Sequence, residues 1–487
     1  MSRLQYKWTV LTVTTVGVLM AGLDSRIIIV GLPQVASALR ADAEQAIWFT
    51  QSYVIGTTIA LLLIGRITDI VGRVKIYESG FAIFTVGSAL TSLAQGPTQV
   101  ILFRGIQGLG AAILFTNSIA MIVDATPKNE LGFALGTNQI AFRLGGMAGL
   151  TVSGIILSFL DWRALFYINV PIGIFGTIWA HLRLKEIASV ERNAPIDWIG
   201  FVVFTTSITS FFLALTFAVY GIAELTTVRV LLLITAISIV TFIAYERRQE
   251  YPLLDLNLLR IREFTGGVIA QLLNAIAWGA VLLLLSLYFQ LVRDLSPFDS
   301  GIRIVPFDIT FLFFGAVSGK LSDRFGHLPF TTSGLALTSV SLYLFSTVDV
   351  FAPYSLIIVY MMLLGAGIGL FVSPNMSSIM GSVPAQRRGI ASALRATFFN
   401  VGFTISLNLA VLIMTFTVPY AIVTNIISST NPILISEADR MLFAEGLKNT
   451  YLWLAALNVA AIPPSVLRKR KIKKDSPQRQ ILSLHFK

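Results

Sequence analysis

The sequence predicts an all-α polytopic membrane protein of about fourteen spanning helices: two pseudo-symmetric six-helix bundles with two further helices inserted between them. Three observations lead there. Apolar residues fill 55% of the 487 positions and charged residues only 13%, against about 25% in a typical soluble chain. Apolar runs of roughly 18 or more residues, long enough to cross the hydrocarbon core, recur along nearly the whole length. A glycine–aspartate framework also occurs twice, far apart.

The spans fall at 8–32, 46–65, 75–94, 98–123, 132–159, 164–184, 197–219, 227–245, 264–290, 301–321, 329–348, 352–373, 389–416 and 449–467. The first is too long for a signal-peptide core and is followed by more spans, so it reads as a retained helix. Loop charge sets the orientation. With a cytoplasmic N-terminus, 25 of the 36 Lys and Arg residues lie inside and seven outside, the latter being Arg40, Arg163, Arg229, Arg293, Arg303, Arg440 and Lys448. That split predicts a multi-pass protein of the cytoplasmic membrane with both termini inside. The net charge of +11 then belongs to lipid-facing loops and to the basic run from Arg468 to Lys474, which is suited to anionic headgroups rather than nucleic acid. There is no cysteine, and the three histidines, His181, His327 and His485, are far apart. No disulfide, thiolate site or metal cluster is expected, and no cofactor.

The repeat fixes the organisation. Gly65, Asp69 and Gly72 share their spacing with Gly319, Asp323 and Gly326, 254 residues later. Pro127, Gly132 and Gly145 recur as Pro384, Gly389 and Gly402, 257 residues later. The second span therefore corresponds to the tenth and the fifth to the thirteenth. That offset is two helices more than a six-plus-six design requires, so spans 7 and 8 are the insertion. The expected divisions are 1–185, 186–262 (the extra pair with its linkers), 263–470, and a basic tail at 471–487. Parallel repeats of this kind are a transporter design. The halves differ where chemistry is most visible: Arg143 aligns with Asn400, Asn138 with Arg395, and Asp308 with Val54.

Between spans 2 and 3 stands Gly65-Arg-Ile-Thr-Asp69-Ile-Val-Gly72-Arg73-Val-Lys75. Its glycines permit a tight turn, and Asp69 suits a helix N-terminus or an arginine partner. Alone this reads as a positively charged cytoplasmic turn. Its recurrence at Gly319, Asp323, Arg324 and Gly326 makes it a candidate gate, to which Arg395, about two turns from the inner surface, is added. At this point the chain resembles the major facilitator superfamily, whose loop between helices 2 and 3 has this pattern. Leu23-Asp24-Ser-Arg26-Ile-Ile-Ile-Val-Gly-Leu32-Pro33 is similar to the first-helix motif of its fourteen-helix drug:proton antiporters. Arg104-Gly-Ile-Gln107-Gly108-Leu-Gly110-Ala-Ala112 is similar to the fourth-helix motif. Asp161-Trp162-Arg163-Ala-Leu-Phe166-Tyr-Ile-Asn169-Val-Pro171-Ile-Gly173 is similar to the entry to helix 6. There are departures. Arg26 and Ile29 replace the usual Thr and Asn. The fifth-helix antiporter motif is reduced to Gly149-Leu150-Thr-Val-Ser153-Gly154, without its proline and with serine for one glycine.

Charges inside the membrane cost about 2.5–3.5 kcal/mol each on insertion scales, which makes them functional candidates. Asp24 lies about four residues outward of the middle of its span and Arg104 about seven, hence roughly 6 and 10 Å out. The two can pair. Either Arg104 switches a proton on Asp24, or the pair is a static strut between helices 1 and 4. Arg26, two residues from Asp24, takes another face and points to lipid or into a cavity. Arg143 is mid-helix, and Asp308 lies about a third of the way into span 10. With Gln271, Asn274, Trp278 and Asn400 they form the candidate substrate cavity; for the three span-9 side chains, helix packing is the rival reading. The resemblance implies a monomeric proton-coupled exporter of amphipathic drugs or other organic compounds. Its partners would be a small-molecule substrate, protons and membrane lipid. The rival is an organic-anion transporter built on the intramembrane arginines. No nucleophile–base pair, metal cluster or phosphate loop suggests an enzyme.

Overall fold

The computed structural model describes residues 3–127, 130–187, 196–220, 224–249, 252–384, 388–419, 422 and 436–468. The tail at 471–487 and the side chains of Gly65, Asp69 and Asp323 lie outside the described part. The helices are α1 (Arg3–Ala38), α2 (Ala43–Val71), α3 (Arg73–Ser92), α4 (Pro97–Ala125), α5 (Leu131–Phe159), α6 (Ala164–Tyr167 and Asn169–Arg183), α7 (Trp198–Tyr220) and α8 (Leu225–Glu246). There follow α9 (Arg262–Trp278, then Val281–Leu287 and a π turn Tyr288–Val292), α10 (Pro297–Phe325), α11 (His327–Phe345), α12 (Tyr354–Gly381), α13 (Arg388–Thr415) and α14 (Glu437–Val459, with a short turn Ile462–Val466).

Among the described residues, eleven helices are long and apolar enough to cross a membrane by length and composition. The fourteen predicted spans are completed by α2, α3 and α14, each with charged residues within its length. Three boundaries differ from expectation. α14 starts at Glu437, not near 449: Ser436 caps it by accepting from Asp439 N at 3.1 Å, and Glu437 and Asp439 occupy the positive first turn. The charged stretch is thus a helical extension of the apolar span. α12 runs through Pro374 to Gly381, because a spanning helix tolerates the missing N–H when its neighbours surround it. α9 is interrupted at Gly279–Ala280. There Ala280 N donates to Ser406 Oγ at 2.9 Å, so a backbone group at the break has a partner on α13.

The two bundles use the same helix pairs. α1 packs on α5 as α9 packs on α13; α2 on α4 as α10 on α12; α3 on α4 as α11 on α12. Glycine makes the closest approaches possible. A Cβ on Gly22 would strike the Phe142 carbonyl, and one on Gly145 the Leu19 carbonyl; Gly402 faces Leu272 O in the equivalent place. The pair α7–α8 packs together, and α7 lies against α2 of one bundle and α13 of the other.

Two single-residue turns confirm the repeat. Gly72 alone separates α2 from α3, and Gly326 alone separates α10 from α11. Their φ angles are 107° and 84°, a region that side chains with a Cβ rarely enter. At the opposite end the bundles are joined. One apolar cluster runs through both, from Leu23, Ile27 and Phe49 to Trp278, Phe289 and Leu364. Near the glycine turns the core is split: one cluster stays in the first bundle, around Tyr77 and Phe81, and another gathers Phe264 and Ile379 with Phe204 and Phe242. The bundles are therefore joined through their main core at the end remote from Gly72 and Gly326, while nearer those turns Ala396 of α13 packs on a small cluster of Ala60, Leu61 and Ile64.

Candidate functional site

The intramembrane charges divide into two groups, held on opposite faces of α1. The first is enclosed in the first bundle. Asp24 and Arg104 have side chains with no exposure and pair at 2.5 Å (Oδ2 to Nη1). The other Asp24 oxygen accepts from Gln107 Nε2 at 2.8 Å and Asn169 Nδ2 at 2.9 Å. Arg104 Nε donates to Phe49 O at 3.1 Å, and its guanidinium lies 4.4 Å from the Tyr53 ring centre. Gln107 also donates to Ser88 Oγ at 2.8 Å. This network draws on α1, α2, α3, α4 and α6. Low dielectric makes each of its bonds strong and any orphaned charge costly.

The helices reach this proximity through their small residues. Gly108 meets the Tyr53 backbone and Gly110 the Phe84 backbone, so α4 slots between α2 and α3 and carries Arg104 inward. The altered fifth-helix segment does similar work: Gly149 faces Leu23 O, and Gly154 faces the backbone of Phe298. Loss of the proline and of one glycine leaves close packing intact, with Ser153 fully buried.

The second group sits on the seam between the bundles. Arg26 Nη1 donates to Asp308 Oδ1 at 2.6 Å, joining α1 to α10. The aliphatic part of Arg26 lies over Gly146 of α5, where a Cβ would come within 3.2 Å of its Cδ. Asp308 Oδ2 is buried with no hydrogen-bond partner. The Arg143 guanidinium rests 3.9 Å from the centre of the Phe311 ring, and the charges of Arg26, Asp308 and Arg395 all act on it. Phe311 stacks on Phe307 with ring centres 6.0 Å apart, and Trp278 contacts both Phe307 and Phe399 at 6.2 and 6.4 Å. The seam's joined end carries one more cross-bundle contact: Gln290, in the π turn of α9, donates to Val30 O at 3.1 Å.

Three of the positions where the sequence repeat breaks its symmetry thus converge, whereas Asn138 donates to Ser118 Oγ at 2.9 Å inside the first bundle. Arg395 and Asp308 both come within electrostatic reach of Arg143, although the three lie on α13, α10 and α5. Asn400 is partly buried, one turn along α13 from Arg395, and Gln271 is buried two turns before Trp278 on the same side of α9. Asn274 does not line the seam: its Nδ2 donates to Asn458 Oδ1 at 2.8 Å inside the second bundle. Asp24 and Arg104 share neighbouring depth but lie within one bundle rather than in the cleft. Of the gate residues, Arg73 donates to Ala120 O at 2.9 Å and pairs with Asp124 on α4. Arg324 is exposed beside Phe325. Gln107, Asn169 and Gly146 were not singled out by sequence reasoning. The first two stood inside the recognised motifs, which was the available signal.

Comparison with known proteins agrees with this architecture. The model of the Major Facilitator Superfamily matches residues 14–407. The riboflavin transporter RibZ of Clostridioides difficile (strain 630) is 31% identical over 403 residues, 82% of this chain and 87% of that one. The tetracenomycin C resistance and export protein of Streptomyces glaucescens is 26% identical over 396 residues, 81% of this chain and 73% of that one. A solved bacterial homolog of the human lysosomal transporter Spinster, in an inward-facing and occupied conformation, matches with a TM-score of 0.68. It is 15% identical and covered over 97% of this chain and 99% of its own, a likeness of fold.

Proposed function

The chain belongs to the major facilitator superfamily, so it is a multi-pass membrane transporter of small molecules and not an enzyme, and we propose that it exports amphipathic organic compounds in exchange for protons. In this reading it is a monomeric fourteen-helix antiporter of the cytoplasmic membrane with both termini inside. The joined end of the seam then faces outward, and the Gly72 and Gly326 turns lie at the cytoplasmic gate. The halves 1–185 and 263–470 rock about the seam, with 186–262 as the inserted pair and its linkers. Relatives named for drug resistance and export support the outward direction.

One observation carries the coupling. Asp24 and Arg26 are two residues apart on α1; the first is held inside its own bundle and the second reaches across to Asp308. Asp24 carries the proton, and Arg104 is the counter-charge that faces it while the pair is closed. Protonation removes the charge attraction that ties α1 to α4. Any turn of α1 that follows moves Arg26 relative to α10, so proton binding is felt at the seam.

The test is substrate-driven proton release from everted vesicles. Asp24→Asn should abolish release while leaving substrate counterflow, which needs no net proton movement. Release that persists unchanged in Asp24→Asn removes Asp24 from the coupling role. A second reading, transport of organic anions, is favoured by the arginine surplus at the seam: Arg26 is paired with Asp308, and the charges of Arg26 and Arg395 both fall on Arg143.

A further inference from the structure

We propose that the seam binds a flat aromatic compound bearing an anionic group, its ring against the Trp278–Phe307–Phe311–Phe399 cluster and its charge on Arg143 and Arg395. This inference rests on the transporter reading and names its substrate class.

The charge count comes first. Asp308 is the partner of Arg26 at 2.6 Å. Arg143 makes no ion pair or hydrogen bond with a described residue and is held by the Phe311 face alone. Arg395 Nε is buried without a hydrogen-bond partner. Two guanidinium groups on different halves thus lie within electrostatic reach of each other, neither in an ion pair with a described residue. Both side chains are only partly buried, so an anion can reach them, and one entering between them acts on both: it supplies each guanidinium with an ion-pair partner and bridges α5 to α13. The guanidinium fork suits a carboxylate or sulfonate, which can accept two parallel hydrogen bonds.

The aromatic half of the argument is independent. Trp278, Phe307, Phe311 and Phe399 form a continuous contact chain across α9, α10 and α13. Trp278 Nε1 is buried, 94% of the residue being out of solvent, and its N–H has no acceptor. Buried indoles usually find one. A planar ring carrying a hydrogen-bond acceptor would stack in this cluster and satisfy that donor. An aliphatic anion would use the arginines only, and an aromatic cation would meet two repelling charges.

The probes are 2-naphthoate, its neutral isostere 2-naphthamide, and 2-naphthylmethylamine. Binding to the purified full-length protein is read by calorimetry and transport by counterflow in proteoliposomes. We expect naphthoate to bind at least about tenfold more tightly than the amide, as charge-assisted bonds imply, and the amine to bind weakest. Arg143→Gln and Arg395→Gln should each remove that preference, bringing the naphthoate-to-amide affinity ratio to about one. Arg143→Lys, which keeps the charge and loses the fork, should retain an intermediate preference and guards against a folding defect in the glutamine variant. Amide or amine binding as tight as naphthoate in the wild-type protein overturns the inference, as does a naphthoate preference that survives both glutamine variants. If naphthoate is selected but drives no proton release, only the coupling reading falls. If amphipathic cations exchange for protons without naphthoate selectivity, only this inference falls.

Discussion

Removing one member of the Asp24–Arg104 pair exposes how the first bundle is held. In Asp24→Asn the amide can still accept from Arg104, but its Nδ2 then faces the donors Gln107 Nε2 and Asn169 Nδ2, which now meet a donor at 2.8 and 2.9 Å. The guanidinium of Arg104 stays buried without a counter-charge. Breaking a buried pair from one side costs about 3–5 kcal/mol, roughly a hundred- to a few-thousand-fold in the folding equilibrium. Arg104→Met should cost a similar amount, because the carboxylate keeps two amide donors but loses its cation. The double variant Asp24→Asn/Arg104→Met removes both charges; the amide oxygen can then turn to accept from Gln107 and Asn169, and the remaining penalty is its own donor left facing the Met side chain, about 1–3 kcal/mol. Unfolding in mixed micelles by SDS titration measures all four proteins. The double variant should be more stable than the sum of the singles by at least about 2 kcal/mol. Strict additivity would refute the claim that the two charges stabilise the bundle through each other.

Three further outcomes are expected. Gly326→Ala places a Cβ in open space but at φ 84°, so it should lower stability by about 1–3 kcal/mol through backbone strain alone, seen as a lower unfolding midpoint. Gly108→Ala drives a methyl into the Tyr53 carbonyl and should cost about 1–3 kcal/mol or more by prising α2 from α4; loss of the monodisperse size-exclusion peak on mild heating is the readout. Arg26→Asp and Asp308→Arg should each reduce counterflow severely, and the exchanged pair should recover a substantial part of it, since the contact joins α1 and α10 directly. Equal loss in the exchanged protein would argue that each residue acts through some other partner.

Much of this arrangement could be read from residue order because helix geometry is local. A rise of about 1.5 Å per residue put Asp24 and Arg104 at neighbouring depths, and a two-residue separation put Arg26 on a different face of α1. The repeated Gly-x3-Asp-x2-Gly spacing located two turns that prove to be single glycines at positive φ. What escaped is set by relations between helices. The partner of Arg26 depends on the rotation and register of α10 against α1, which no periodicity in either segment encodes. The same holds for Asn274, whose polar head turns to Asn458 inside the second bundle rather than to the seam. The break in α9 escaped because Gly279 is one glycine among 37; only the presence of Ser406 opposite Ala280 makes an interruption there affordable. The start of α14 was displaced because hydropathy marks where lipid begins, whereas the Ser436 cap marks where the helix begins.

The inserted pair has a mechanical consequence. α7 leans on α2 from one half and on α13 from the other, and Thr216 Oγ1 donates to Asn408 Oδ1 on the α13 side at 3.3 Å. Two surfaces that swing past each other cannot both keep hold of a single rod. In the rocking cycle proposed above, α7 would stay with one partner and slide over the other, and its hydrogen bond to Asn408 favours α2 as the sliding surface. The pair α7–α8 would then work as a sleeve along the flank where α2 meets α13, with no comparable packing among the described residues against the flank where α5 meets α10.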